Sequence, residues 1–242
     1  MQEYNRFELE NELKKHMYRL APTCILASNS VRRKELLERL GIKVFISPSR
    51  AKEAMPPTGN PSNIVKHNAV SKATSFEKNH SIDEVVYPII SADTVVSVDF
   101  SRVKSILKHK KSYAKYNSYI LGKPRDKKEA LTMLGFLREA KIHRVYTGIY
   151  ISIYHPFYKK NCSIYAEDYA DVVFKDGVSN ADLLRYIEET DVLSASGSYR
   201  IQCNGDALFS AIYGDITTIE GLSYTALYKA LQEIDKAFKD EI

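Results

Sequence analysis

The sequence predicts an α/β protein, in which a long mixed β-sheet carries helices on its faces, and three features of the 242-residue chain indicate it. A short apolar run at 25–27 is followed by a polar turn and by leucines at helical spacing. The stretch 85–98 is mostly apolar and β-branched, which is typical of a strand buried on both faces. Apolar residues alternate over 145–153 and again over 164–174, which predicts a long antiparallel pair. Helices and strands mixed in this order favour one α/β core.

Composition bounds the class of protein. With 44% hydrophobic residues, the chain can bury the core of a single domain. Its three cysteines, Cys24, Cys162 and Cys203, have no C-x-x-C spacing, and no N-terminal apolar run resembles a signal peptide. We therefore predict a reducing, cytoplasmic setting. No stretch approaches the roughly 18 apolar residues that a membrane span needs, so no membrane partner is expected.

The formal charge of +5 comes from one segment. Residues 100–120 hold six of the 35 basic residues and no acidic one, which leaves 29 basic residues against 30 acidic residues elsewhere. Lysines interleaved with Tyr113, Tyr116 and Tyr119 could contact nucleic acid. Solvated lysines and tyrosines in an exposed loop are the more common case, so a nucleic-acid partner is not expected.

The first strand, turn and helix span residues 23–41. The turn is a helix N-terminus, with free backbone N–H groups and the positive end of the dipole. Ser28 and Ser30 add hydroxyl groups there, and Arg32 and Arg33 add two guanidinium groups. The alternative is that Ser30 only caps the helix and that the arginines are solvated. Because arginine in a first turn opposes the dipole, we favour a bound anion, namely phosphate.

A second helix begins after Asn60-Pro61, and its apolar stripe contains a lysine. Val65, Ala69, Lys72 and Phe76 share one face. Lys72 either lays its stem along the core with its ammonium group in water, or binds phosphate at a cleft.

An aspartate interrupts the most apolar strand. Asp93 is followed by Val95, Val96 and Val98, which continue the β pattern. A carboxylate in a core strand costs several kcal/mol unless a cation or hydrogen-bond donors compensate. Asp93 therefore predicts a partner, and a divalent cation is the natural one.

Further elements follow from the same signals. We predict a helical extension over 1–21, a strand at 43–47, a helix from the cap Asp126 through Arg138, a helix at 181–189, a strand at 208–213 and a final helix after 221. Lys123 lies in a turn fixed by Gly122 and Pro124.

Short motifs across residues 23–231 resemble, in order, those of the Maf family of nucleoside triphosphate pyrophosphatases. They are the stretch from Leu26 to Arg33, Pro48 to Glu53, Lys72-Ala73, Ser91-Ala92-Asp93-Thr94, Leu121-Gly122-Lys123-Pro124, His143 to Gly148, Ser194 to Gln202 and Gly214 to Ser223. The chain departs from the family pattern at Val31, Ser91, Ala195, Arg200 and Ser223. Ala195 replaces a lysine and Arg200 a glycine. His143 fits either the family motif or a packed strand position.

The resemblance implies a Maf/Ham1-like (ITPase-like) fold, an elongated mixed sheet with a central cleft. It implies hydrolysis of a nucleoside triphosphate to the monophosphate and pyrophosphate, with Mg²⁺ or Mn²⁺ as cofactor. The residues expected to be catalytic are Asp93, Glu53, Lys72, Lys123 and Arg33. Glu53 and Asp93 are the expected metal ligands, and Asp93 is expected to activate the attacking water, directly or through the metal.

The substrate expectation also comes from the resemblance. Arg32, Thr94 and Gln202 match the residues that mark family members acting on dTTP and UTP, and Ser28 and Ser30 complete the expected substrate-binding set. CTP and modified pyrimidine nucleotides stay open.

Two other functions stay open as well. They are a nucleotide-binding protein with impaired turnover, suggested by Ala195 and Arg200, and an RNA-associated module acting through the basic segment. The predicted organisation is an extension at 1–21 and a domain at 22–242 with a basic insertion at about 100–119. A homodimer is left open.

Overall fold

The structure is a computed structural model that describes residues 5–56, 59–78, 87–99, 118–155 and 160–239. The helices are α1 (Arg6–Leu20), α2 (Val31–Arg39), α3 (Pro61–Glu77), α4 (Lys127–Ala140), α5 (Asn180–Glu189), α6 (Gly205–Leu208), α7 (Ile216–Glu220) and α8 (Tyr224–Lys239). The strands are β1 (Thr23–Leu26), β2 (Lys43–Ile46), β3 (Ile89–Asp99), β4 (Ser118–Leu121), β5 (Ile142–His155), β6 (Lys160–Phe174) and β7 (Phe209–Tyr213). Most of the predicted basic insertion, residues 100–117, lies outside the described residues.

The seven strands form one mixed sheet in the order β2-β1-β3-β5-β6-β7, with β4 also paired to β3. β1 runs parallel to β2 and β3, and the other pairs are antiparallel. The α/β expectation is confirmed, and so is the long antiparallel pair, β5 with β6. The strand predicted at 208–213 begins one residue later, because Leu208 ends the short helix α6.

Strand β3 has an interrupted edge. One side pairs with β5 along residues 89–97. The other side pairs with β1 only at Ile89 and Ile90, and with β4 only from Val96 to Asp99. Residues 91–95 therefore have no strand partner on that side among the described residues. Backbone groups on a buried edge need other partners, so side chains must approach β3 here.

Alternation along β3 sends its side chains to opposite faces. Asp93 and Val95 point toward α3, where Val95 packs with Ile64 and Val65. Thr94 points to the other face, between two core clusters. One cluster contains α1, α2 and α8, and the other contains α4 and α5. The interrupted edge of β3 lies where these two halves of the core meet.

Helix α1 packs on α8 through the buried Leu13 and Met17. Phe7, in the first turn of the helix, is 74% exposed. The division at residue 21 stays a prediction, since α1 shares the core cluster of β1 and α8. In the described part of the chain, no helix is both long and apolar enough to cross a membrane.

Candidate active site

A cavity of about 660 Å³ lies at the interrupted edge of β3. All ten site residues predicted from the sequence line it: Ser28, Ser30, Arg32, Arg33, Glu53, Lys72, Asp93, Thr94, Lys123 and Gln202. They come from the N-terminus of α2, the loop after β2, α3, β3, the loop after β4 and the turn before α6. The structure thus gathers the whole predicted set into one pocket.

Asp93 is the most buried carboxylate of the pocket, and its side chain is 5% exposed. Lys72 Nζ donates to Asp93 Oδ1 at 2.6 Å, and Asn68 Nδ2 donates to Oδ2 at 2.8 Å. Lys72 Nζ also donates to the Ala92 carbonyl at 3.3 Å, which faces the open edge of β3. The sequence predicted a partner for Asp93 and favoured a divalent cation; in the described part of the chain, Lys72 and Asn68 are the side-chain partners of its carboxylate.

Helix α3 brings these donors to β3. Asn60 caps the helix and Pro61 occupies its first turn, which fixes where the helix begins. Asn68 and Lys72 are one turn apart and hence on the same face, the face that packs on β3. Both side chains are buried. Lys72 is not the snorkelling lysine of the alternative interpretation, because its ammonium group lies inside the pocket.

Glu53 is the second carboxylate and lies 3.0 Å from Lys72 Nζ. Asn68 positions its loop, since the Asn68 amide group exchanges two hydrogen bonds with the backbone of Ala54, at 2.7 and 2.9 Å. Burial works to raise the pKa of the Glu53 carboxyl. Lys72 outweighs that effect with help from Lys123 and Arg33, so the pKa lies below its usual value. The Glu53 side chain is 42% exposed and thus open to a ligand.

Arg33 reaches the pocket from α2 and is held at three points. Its Nε donates to the Gly221 carbonyl at 2.7 Å, and its terminal nitrogens donate to Ser28 Oγ at 3.2 Å and to Thr94 Oγ1 at 3.3 Å. Burial lowers the pKa of Arg33, and the charges of Asp93 and Glu53 oppose that shift. Arginine keeps its charge in proteins, so Arg33 supplies a fixed positive charge.

Thr94 completes this arrangement through a chain of hydroxyl groups. Thr147 Oγ1 donates to the Thr218 carbonyl at 2.7 Å, so its single proton is used there. The 2.9 Å bond between Thr94 and Thr147 must then have Thr94 as the donor. Thr94 can therefore accept from Arg33, and its own proton is already committed.

The N-terminus of α2 contains both serines of the first motif. Ser30 is the N-cap and accepts from the Arg33 backbone N–H at 3.3 Å. Ser28 Oγ accepts from the Ser30 backbone N–H at 3.2 Å. The capping interpretation of Ser30 is thus correct, and Ser30 lines the pocket as well.

Arg32 reaches the same segment as Arg33, at Glu220-Gly221, and is paired with two acids. One terminal nitrogen donates to Glu220, and the other donates to Glu35 at 3.2 Å. Glu220 is 6% exposed and Glu35 is 50% exposed. Glu220 Oε2 and Arg32 Nε are buried, and no residue in the described part of the chain forms a hydrogen bond with either atom. Both Arg32 and Glu220 line the pocket.

The loop before α6 forms another wall of the pocket. Ser196 Oγ donates to the Thr94 carbonyl at 3.2 Å, and the Gly197 N–H donates to the Gly122 carbonyl at 3.0 Å. A Cβ at Gly197 would lie 2.7 Å from Val96, and its φ of +72° also favours glycine. This close packing places Gln202 and the exposed Lys123 on the same pocket.

Ala195 and Arg200, the two departures from the family pattern, also line the pocket. Arg200 Nε donates to the Asp191 carbonyl at 2.9 Å, and a terminal nitrogen donates to the Asp191 carboxylate at 2.9 Å and to Ser194. Arg200 thus brings a cation to the pocket whose charge is partly balanced by Asp191.

His143 is a packed strand residue. Its side chain is buried, and Nε2 is 2.8 Å from the Tyr199 hydroxyl. Burial lowers its pKa to about 3. Of the two interpretations left open, the packed position fits the structure.

Sequence reasoning missed Glu220, which lines the pocket, and two residues that hold pocket residues in place, Asn68 and Thr147. Asn68 lies on the α3 face that already contained Lys72, so helical periodicity could have found it. Thr147 belongs to the motif quoted from His143 to Gly148, and Glu220 precedes Gly221 in the last motif. Neither has a signal of its own, because their partners lie across the sheet or on another helix.

The carboxylates can contribute oxygen ligands to a metal ion, but they do not form a complete metal cage. In the described ranges no group of three or more His, Cys, Asp or Glu residues could hold a metal ion. The pair of Glu53 and Asp93 fits Mg²⁺ or Mn²⁺ only in the mode where one or two carboxylates act together with substrate phosphates and water.

At the interrupted edge of β3, cationic side chains and two carboxylates line one pocket. This arrangement defines an α/β protein whose pocket suits a polyphosphate ligand. A family model described as Maf-like protein matches residues 23–234, and the chain belongs to this family. The resemblance seen in the motifs is thereby confirmed.

Two relatives illustrate the similarity. The dTTP/UTP pyrophosphatase of Bacillus mycoides (strain KBAB4) is 33% identical over 211 residues, covering 87% of this chain and 95% of that protein. The dTTP/UTP pyrophosphatase of Akkermansia muciniphila is 31% identical over 212 residues, covering 88% and 96%. Among solved structures, the Staphylococcus aureus Ham1 protein aligns over 90% of this chain and 98% of its own, with 12% identity. The TM-score of this alignment is 0.39.

Proposed function

We propose that this protein is a nucleoside triphosphate pyrophosphatase that hydrolyses dTTP and UTP to the monophosphate and pyrophosphate. The names of its relatives, dTTP/UTP pyrophosphatases at 31–33% identity, support this activity. CTP and modified pyrimidine nucleotides are further candidate substrates.

Arg33, Lys72 and Lys123 are proposed to bind the phosphate chain. They reach one pocket from three separate elements, which suits a ligand with charge spread over several phosphates. Ser28 and Ser30 are proposed to position the chain at the start of α2, where the helix dipole favours an anion.

Glu53 and Asp93 are proposed to hold a divalent cation, Mg²⁺ or Mn²⁺, together with substrate oxygens. The bound ion supplies positive charge against the phosphates. Asp93 is proposed to activate the attacking water. An ionised carboxylate offers about four lone-pair sites, and Lys72 and Asn68 use two of them. Asp93 therefore keeps the capacity to accept a proton from a water aimed at the α-phosphorus.

Substrate choice is proposed to rest on Arg32, Thr94 and Gln202. Because the Thr94 proton is committed to Thr147, Thr94 contributes by fixing Arg33 rather than by donating to the base. Arg32 and Gln202 are the residues of this set with hydrogen-bonding groups for a base.

The observation that carries the proposal is Lys72 between two carboxylates, 2.6 Å from Asp93 and 3.0 Å from Glu53, in a pocket that also contains Arg33 and Lys123. The test is pyrophosphate release from dTTP, UTP, CTP, GTP and ATP with Mn²⁺. We expect dTTP and UTP to be the fastest substrates.

Asp93→Asn should abolish the activity. Asp176→Asn is the matched control, since Asp176 is 90% exposed and pairs with Lys141 outside the pocket. Turnover of GTP at or above that of dTTP and UTP would contradict the substrate assignment.

The rival functions make different predictions. Ala195 and Arg200 line the pocket, so a protein that binds nucleotide without turnover remains the second candidate. Such a protein would bind dTTP and release no pyrophosphate. The RNA-associated function rests on residues outside the described ranges, and it predicts RNA affinity that falls steeply with salt. A cytoplasmic location and a homodimer stay predictions.

A further inference from the structure

We propose that Glu220 reads the base, by accepting the N3–H of uracil or thymine beside Arg32. This inference rests on the proposed function and deepens it, because it names the residue that separates uracil and thymine from cytosine. Glu220 was not among the residues predicted from the sequence.

The first observation is an unpartnered acceptor in the pocket wall. Glu220 is 6% exposed, and Arg32 occupies its Oε1. Its Oε2 is buried and has no hydrogen-bond partner within the described ranges. A buried carboxylate oxygen without a donor is unfavourable, and a small rotation that turns Oε2 toward the pocket would let it accept a charge-assisted hydrogen bond from a ligand N–H.

The second observation is that the adjacent arginines Arg32 and Arg33 have partners of different charge. Arg33 is held by neutral groups only, namely the Gly221 carbonyl, Ser28 and Thr94, so its charge remains available to phosphates. Arg32 is paired with Glu220 and Glu35, so most of its charge is neutralised. A neutralised pair suits an uncharged base rather than a phosphate.

The third observation is the pattern of donors and acceptors. Arg32 carries N–H donors and Glu220 carries an acceptor beside them, with Arg32 Nε and Glu220 Oε2 buried and unpartnered among the described residues. Uracil and thymine present carbonyl acceptors on either side of an N3–H donor, which complements this pair. Cytosine presents an acceptor at N3, and that lone pair would face the Glu220 carboxylate.

A structural explanation competes with this one. Glu220 Oε2 and Arg32 Nε are both unpartnered, and a small rotation could pair them side-on, which would join α2 to α7 without any ligand role. The two explanations differ in selectivity, because only a base contact makes Glu220 discriminate between uracil and cytosine.

The experiment compares Glu220→Gln with Glu35→Gln, which removes the exposed partner of the same arginine. Binding of non-hydrolysable UTP and CTP analogues is measured at equilibrium, alongside kcat/KM for UTP and CTP. A glutamine amide can accept from uracil or donate to cytosine. We expect the UTP-to-CTP preference to shrink by about tenfold or more in Glu220→Gln and to stay within about twofold of the wild-type value in Glu35→Gln.

A chemical variant of the ligand serves if Glu220→Gln does not fold. On the wild-type protein, UTP methylated at N3 should bind at least about tenfold more weakly than UTP, whereas methylation at C5 should have little effect. Folded Glu220→Ala should lose most of this sensitivity to N3 methylation.

An unchanged UTP-to-CTP preference in folded Glu220→Gln, equal binding of UTP and CTP by the wild type, or tolerance of N3 methylation would each overturn the inference. Selective binding of the UTP analogue without pyrophosphate release would instead refute the proposed function and leave the inference intact.

Discussion

Replacing Lys72 by methionine is expected to destabilise the protein strongly, because it leaves Asp93 buried without its cation. The two side chains are 7% and 5% exposed, and their charged atoms are 2.6 Å apart. Methionine preserves much of the apolar stem between α3 and β3, so the change removes charge more than packing. Breaking a buried ion pair from one side typically costs about 3–5 kcal/mol.

The partners of Lys72 set the expected order of the variants. Asp93→Asn leaves Lys72 with Glu53 at 3.0 Å and with the Ala92 carbonyl, so its loss should be smaller, about 1–2 kcal/mol. Lys72→Met leaves the Asp93 carboxylate only Asn68 as a side-chain donor. The double variant removes both charges and should be more stable than Lys72→Met by about 1–3 kcal/mol, since neighbouring groups couple.

The assay is urea unfolding of all four proteins at pH 7.5, followed by circular dichroism and intrinsic tyrosine fluorescence. The double-mutant cycle then gives the coupling between Lys72 and Asp93. A loss below about 1 kcal/mol for Lys72→Met, or coupling below about 0.5 kcal/mol, would refute the idea of a buried, desolvated pair. It would mean that water already screens the charges.

Three more outcomes are expected. Burial lowers the pKa of His143 to about 3 in the folded protein. Below about pH 6.5, the histidine of the unfolded chain therefore binds a proton, whereas the buried histidine of the folded protein does not. Stability should fall by about 2 kcal/mol from this group between pH 7 and pH 5, and urea unfolding of His143→Phe should show a flatter pH profile. Arg200→Ala should raise KM for dTTP several-fold at similar kcat, whereas Arg185→Ala, a change outside the pocket, should alter neither. Mn²⁺ should bind weakly to the free protein and more tightly with a non-hydrolysable dTTP analogue, as measured by calorimetry, and Glu53→Gln should remove that gain.

Local periodicity was enough to predict the centre of the site. A two-residue repeat placed Asp93 inside a buried strand, and a helical repeat placed Lys72 on the buried face of α3. A buried carboxylate and a buried lysine each need a partner, but the sequence analysis assigned them a divalent cation and a phosphate and did not predict that they pair with each other. The observed 2.6 Å contact between them follows from the packing of α3 on β3.

The supporting residues could not be predicted in the same way. Thr147 is an ordinary strand residue by its sequence, and its role depends on the register that sets it opposite Thr94. Glu220 is 188 positions from Arg32 along the chain, and only the approach of α7 to α2 brings the two together. Register and helix docking are long-range outcomes that a local pattern does not contain. The interrupted edge of β3 is a further example, since it depends on where β1 and β4 end.

The charges that line the pocket indicate which ligand it would select. Lys72 is shared by Glu53 and Asp93, so a phosphate that draws Lys72 toward itself leaves two carboxylates without their cation. A single phosphate group carries no positive charge that could replace Lys72 beside the two carboxylates. A polyphosphate also meets Arg33, which has no carboxylate partner among its hydrogen bonds, and Lys123. Under the proposed function, a divalent cation bound by Glu53 and Asp93 would compensate the two carboxylates directly. Tight binding therefore requires the phosphate chain and the cation together, and neither alone provides enough opposite charge to replace Lys72.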